Sequence, residues 1–212
     1  MQTVPQHDDM ELYLKSSDII DFNNPDYPGI IDLADEIMHD SETKIDYIKN
    51  VYEYVRDKIF HSADINGKIV TLKASDVLKS GEGICFAKSH LLAALLRCKS
   101  IPAGFCYQKL ILDDQNAPYL ILHGLNGVYI DEFHKWIRLD ARGNKLGVNA
   151  QFSLANEKLA FPVRKEKREE DIPVVFSAPD KNVITALTNY KSLEQLWSDL
   201  PQDLVDTGSE CA

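Results

Sequence analysis

No stretch of this chain stays apolar for the roughly 20 residues that a membrane span requires. Its opening, MQTVPQHDDMELYLK, lacks the basic and apolar regions of a secretory signal. There is no excess of basic charge either: 33 acidic side chains face 23 basic ones, a formal net charge of −10. No basic stripe with interleaved aromatics offsets that balance, so phosphates and anionic lipid are repelled, and neither nucleic acid nor a membrane is expected as a partner. Cysteine is scarce. Cys85, Cys98, Cys106 and Cys211 have no CxxC spacing, which argues against a zinc cluster or a disulfide scaffold. Four free thiols in a reducing cytoplasm are the expectation. A Gly-x-Ser-x-Gly elbow is also missing, which disfavours a serine hydrolase.

What is present is ordinary globular composition, 44% hydrophobic and 26% charged over 212 residues. A chain of that length buries roughly 70% of its unfolded surface and needs no metal or disulfide to hold together. Residues 1–9 read as disordered and 10–205 as one α+β domain. Apolar spacing predicts a helix through Ile30, Leu33, Ala34, Ile37 and Met38, and a second after Ser41 as N-cap. The loop HSADINGK closes the second helix, and a short helix follows around 74–79. The stretch from Ala87 to Leu96 is apolar nearly all round, as in a helix buried on most sides, and Pro102 should end it near Ser100. Strand-like runs at 101–112, 119–130 and 135–140, separated by DDQNAP and DEFHK, predict an antiparallel meander. The rest reads as extended segments and two late helices packed on the main domain, with Ser192 and Gln195 resembling a capping box. The mixed-sign run at 164–171, RKEKREED, reads as a solvated loop or helix face.

Cys85 stands two residues after Gly83 and opens the most buried helix, where unpaired N–H groups and the helix dipole favour a thiolate. A small buried hydrophobe at a helix start is the plainer reading of one such cysteine. His123 lies in the middle of an otherwise apolar strand run, just after Tyr119 to Leu122, where an imidazole needs partners for both nitrogens. With the next turn centred on Asp131 and Glu132, Asp140 faces His123 directly, Cβ atoms about 4.5–5.5 Å apart. Such a carboxylate holds one imidazole nitrogen protonated and leaves the other for the cysteine proton. Cys85, His90 and His123 lack the closely spaced ligand set that structural zinc takes, which disfavours a metal site.

The segment GEGICFAKSHLLAALLRCKSIPAG resembles the cysteine-helix signature of the transglutaminase-like superfamily. Leu95, Leu96, Arg97, Ile101, Pro102 and Ala103 match its "LLRxxGIPA" element, with Ser100 in the usual glycine position. LHGLNGVYI resembles its histidine strand and WIRLDARGN the strand bearing its aspartate. The resemblance spans 75–144, leaving 145–205 as an extension. It implies a papain-related core with the cysteine helix packed on the meander, and helices at both ends of the chain. It also implies Cys85, His123 and Asp140 as a triad for acyl transfer, with hydrolysis favoured over transamidation. Protein, peptide or small amide substrates follow, without cofactor or metal. Gly124-Leu125 replaces the frequent Ala-Trp, and Ala141-Arg142 the frequent Pro-Thr, so the wall beside the triad differs from that of other members. For the oxyanion hole, Cys85 N–H supplies one donor; Gln108, His61, Ser62 and Tyr107 are candidates for the second. A catalytically inactive binding module on the same fold is the rival reading.

Overall fold

A computed structural model describes residues 3–205. Among the described residues there are seven strands and six α-helices: β1 (Val4–Pro5), α1 (Gly29–His39), α2 (Lys44–Lys58), β2 (Phe60–His61), α3 (Ala74–Ser80), β3 (Glu82–Gly83), α4 (Cys85–Arg97), β4 (Ala103–Asp113), β5 (Ala117–Ile130), β6 (Lys135–Leu139), β7 (Glu170–Phe176), α5 (Lys181–Asn189) and α6 (Leu193–Trp197). β4, β5 and β6 form the expected antiparallel meander. β7 adds antiparallel to β4, and β1 adds parallel to β7, giving the order β1-β7-β4-β5-β6.

α4 is the spine. Every residue from Phe86 to Arg97 is buried, because α1, α2 and α3 cover one side of the helix and β4 and β5 the other. Leu91, Leu92, Leu95 and Leu96 are fully enclosed; each contributes about 1.5–3 kcal/mol by leaving water. Arg97, at the last turn, donates to the carbonyls of Lys15, Ala103 and Ser177, so the motif arginine ties three distant segments to the helix end.

Several expectations are corrected. Residues 4–9 are not disordered: Val4 and Pro5 pair with Val174 and Val175, and His7 N–H donates to the Tyr13 hydroxyl. α2 is capped by Thr43, whose hydroxyl accepts from Asp46 N–H, while Ser41 Oγ turns back to the Ile37 carbonyl. The loop after α2 opens with strand β2, which pairs parallel to β3. α4 ends at Arg97 rather than near Ser100, because Ile101 N–H bonds to the Leu96 carbonyl around a left-handed Ser100 at φ 56°. This is the closure that usually takes glycine.

The charged run at 164–171 is not a solvated face throughout. Glu169 is buried, ion-paired with Arg164, and accepts from Ile111 N–H. Asp171 pairs with Arg138 at 2.6 Å within the start of β7. At the C-terminal end, Leu122 N–H donates to the Pro201 carbonyl at 2.7 Å, and Lys109 pairs with Asp203. The segment after α6 therefore lies along the outer edge of β5. Among the described residues, no helix is long and apolar enough to cross a membrane.

Candidate active site

Gly81 ends α3 in the left-handed region at φ 68° and reverses the chain into β3. Ile84 is extended and offers no side-chain cap, so the first-turn N–H groups of α4 stay open beside Cys85, its first residue. Cys85 is half-buried.

β6 stops at Leu139, opposite Asn126, and does not reach the earlier part of β5. His123 sits in that earlier part, next to Leu122, whose N–H goes to Pro201 instead. Continuing the register would set Asp140 opposite Leu125, so Asp140 reaches His123 diagonally rather than face to face, as the sequence reading had it. The turn is a 3₁₀ segment, Asp131–Phe133, followed by a left-handed His134, one position later than assumed. His123 Nε2 lies 2.9 Å from Asp140 Oδ2. Asp140 also accepts from the N–H groups of Arg142 (3.1 Å) and Ala160 (3.0 Å), and its carbonyl takes the Tyr52 hydroxyl. Phe161 meets the His123 ring edge-on at 5.2 Å.

Both members of this pair are buried, and their titration follows from that. Burial alone would lower the proton affinity of His123. The negative charge of Asp140, then Cys85, and side-chain hydrogen bonds to both, push it up to about 10. Burial would likewise raise Asp140, but the His123 charge and hydrogen bond, with the Ala160 and Arg142 amides, hold it below the usual carboxylate range. The three residues singled out from sequence are thus brought together. The other described thiols are free and are not part of this group: burial pushes Cys98 up to about 11 and Cys106 up to about 12. Cys211 lies outside the described residues. His90 is turned away, its Nδ1 2.7 Å from the Leu72 carbonyl, and burial pushes it down to about 4.

Cys85 and His123 open on a cavity of about 590 Å³. Leu110, Ile121, Phe161 and Trp197 give it an apolar wall. On another side Arg142 makes a two-pronged ion pair with Asp64 at 2.5 and 2.9 Å, joined by Lys145. Arg142 belongs to one of the two dipeptides in which the sequence departs from the family pattern, and this pair is what it builds.

One contributor was missed from sequence. Lys88, one turn after Cys85, is fully buried and donates to the carbonyls of Arg56, Ile59 and Arg142. It clamps the end of α2, the approach to β2 and the loop after Asp140 onto the cysteine helix. Burial pulls its pKa down to about 7. A lysine in the first turns of a largely apolar helix, well before the motif Arg97 at its end, was the available signal.

Residues 31–141 match the sequence profile of the transglutaminase-like superfamily. The chain belongs to this superfamily. A candidate cysteine protease from Cytophaga hutchinsonii shares the fold, with a TM-score of 0.52 and 21% identity over 66% of this chain and 45% of that one. A TGase structure aligns with a TM-score of 0.40 and 18% identity over 66% of this chain and 37% of the other. The chain therefore spans less than half the length of each of these solved proteins. No curated protein matches it by sequence. Within the superfamily pattern, Gly124 replaces the frequent alanine at a point where a Cβ would meet Phe86 at 2.5 Å.

Proposed function

We propose that this superfamily member is a cysteine-dependent acyl-transfer enzyme that hydrolyses an amide or peptide bond through a thioester on Cys85. The contact chain from Cys85 to His123 to Asp140, beside a cavity, carries the reading. Cys85 Sγ adds to the carbonyl carbon, and the π pair moves to oxygen. His123 then gives its proton to the departing amine as the C–N bond breaks. Asp140 fixes the imidazole tautomer and orientation through Nε2.

The second half-reaction needs His123 as a base, although its pKa is pushed up to about 10 in the resting site. Part of that elevation comes from Cys85. Once the sulfur is acylated it carries no charge, so that part is lost and the imidazole becomes a better acceptor for a proton from water. The apolar wall suits an acyl group with an apolar side chain on a protein, peptide or small amide. An amine in place of water would give transamidation from the same intermediate. A reducing, cytoplasmic setting keeps the nucleophile competent.

Incubation with a casein digest, followed by mass spectrometry, tests the reading. Wild type should yield new cleavage products and Cys85→Ala none. Iodoacetamide at about pH 6 should modify Cys85 well before Cys98 and Cys106, whose ionisation burial suppresses. Labelling should slow in His123→Ala. No turnover, together with Cys85 labelling no faster than Cys98, would put a binding module without chemistry in place of the enzyme.

A further inference from the structure

A tetrahedral intermediate on Cys85 places a negative charge on the former carbonyl oxygen, and a preorganised hole needs donors aimed at it. The open N–H of Cys85 at the start of α4 is one. Four side chains stand close enough in the sequence pattern to supply another, and the structure separates them. The Tyr107 hydroxyl is fully buried and accepts from Asp180 N–H at 2.8 Å. Gln108 directs its amide nitrogen to Asp171 at 3.4 Å, and Ser62 is buried; neither lines the cavity. His61 does line it, together with Cys85 and His123.

His61 is held there by backbone. Strand β2 pairs parallel to β3 so that His61 stands beside Gly83, two residues before the nucleophile. The side chain is enclosed, with the residue only 8% exposed, and its Nδ1 is buried with no hydrogen-bond partner. A buried polar atom left unpaired costs about 1–3 kcal/mol, and such atoms in native folds call for a reason. We propose that His61 is the second oxyanion-hole donor, presenting an imidazole N–H to the developing oxyanion together with the backbone N–H of Cys85. This rests on the reading of Cys85 as nucleophile. The unpaired Nδ1 marks a ring whose full set of partners arrives only during the reaction.

The charge state of the ring agrees with the role. Burial, with the positive charge of Arg142 next in weight, pushes His61 down to about 3, and Lys88 and His123 act in the same direction. His61 is therefore a neutral imidazole carrying one N–H, while His123 is charged. Two histidines of one site pushed in opposite directions divide the work: one transfers protons and the other only donates a hydrogen bond. No proton leaves His61 in the cycle. The oxyanion's electron pair returns to the carbonyl when the amine departs.

The test uses p-nitrophenyl acetate as acyl donor and iodoacetamide as a control, both on the full chain. Acylation passes through an oxyanion, whereas alkylation displaces iodide at a saturated carbon and forms none. His61→Ala and His61→Leu should lower the rate of the first-turnover p-nitrophenol burst by on the order of 10²–10³-fold. Alkylation of Cys85 should stay within about twofold in both, since a neutral His61 contributes no net charge to the sulfur or to His123. His61→Gln, which restores a neutral N–H, should recover at least about tenfold over the leucine variant. His61→Leu fills the space and removes the unpaired nitrogen, so it should melt no lower than wild type and covers the case of an alanine variant that does not fold. Wild-type burst rates in the alanine and leucine variants would overturn the assignment. So would alkylation that falls in step with acylation, or a glutamine variant no faster than the leucine one. A wild-type protein that is not acylated at Cys85 would remove the nucleophile reading, and the role of His61 with it.

Discussion

Gly124 and Phe86 contend for the same space: a Cβ on Gly124 would stand 2.5 Å from Cδ1 of Phe86. The two residues directly follow His123 and Cys85, so their contact sets how closely the cysteine helix approaches the histidine strand. Gly124→Ala should destabilise the fold by about 1–3 kcal/mol, the usual cost of overpacking, and slow turnover more than the Kd for a substrate analogue changes. Phe86→Leu in the same chain should recover part of that loss. Urea unfolding of both single variants and the double variant measures the coupling. Strictly additive costs would show that the contact does not set the approach.

Asp140 should separate orientation from stability. Its carboxylate is fully buried and accepts three N–H bonds. Asp140→Ala leaves those donors and the His123 charge without a partner and should cost about 3–5 kcal/mol. Asp140→Asn keeps the volume but favours the wrong imidazole tautomer. Hydrolysis should then fall by on the order of 10³–10⁴-fold, while alkylation of Cys85 by iodoacetamide falls far less. Equal losses in the two assays would contradict an orienting role.

Lys88→Met retains most of the packed volume and removes the donor to three carbonyls. Each acceptor left unpaired costs about 1–3 kcal/mol, so a loss of at least about 3 kcal/mol in chemical denaturation is expected. Hydrogen exchange should rise in the loop that follows Asp140, which Lys88 holds through the Arg142 carbonyl. A variant as stable as wild type would mean that water or relaxation satisfies these groups.

Mild acid should weaken the fold through two histidines. His61 is pushed down to about 3 and His90 to about 4, both chiefly by burial. The unfolded chain takes up protons near pH 6.5, before the folded chain does. Stability from these groups is full above that point and falls as pH drops toward their folded values, by up to about 1.4 kcal/mol per pH unit for each. His123, raised above its unfolded value, gives its full contribution below pH 6.5, and Asp140 loses its own only below the ordinary aspartate range. Urea midpoints at about pH 7 and pH 5 should therefore differ, and His90→Asn should shrink the difference. Equal midpoints in the wild-type protein would refute the assignment of either histidine as obligatorily neutral.

The helices and the meander were legible because their apolar periodicities are strong and local. The cysteine at a helix start, the histidine in an apolar strand and the aspartate on the next strand could be placed from the same patterns. What escaped was set by non-local pairing. β1 and β2 are two residues long and exist only because β7 and β3 lie beside them. The charged segment looked solvated because nothing local announces that Arg138 and the Ile111 amide will meet it. Ser100 occupies a left-handed position where the matched motif has glycine, so the motif marked the turn although the helix end was misjudged by three residues. Register slipped by one position because a 3₁₀ turn, closed by a left-handed His134, is not encoded by glycine or proline.

The hydrogen bond from Leu122 to Pro201 bears on the order in which the molecule is made. Translation delivers Cys85, His123 and Asp140 long before the residues that seal the β5 edge and before Trp197, which completes the cavity wall. A nascent chain in that interval holds all three polar side chains while the strand bearing His123 is unpaired on one side. Such an edge is a template for joining another chain. Arrival of the segment around Pro201 closes it. Assembly of the site therefore waits for Trp197 and the segment around Pro201, even though residues 31–141 contain all three side chains at its centre.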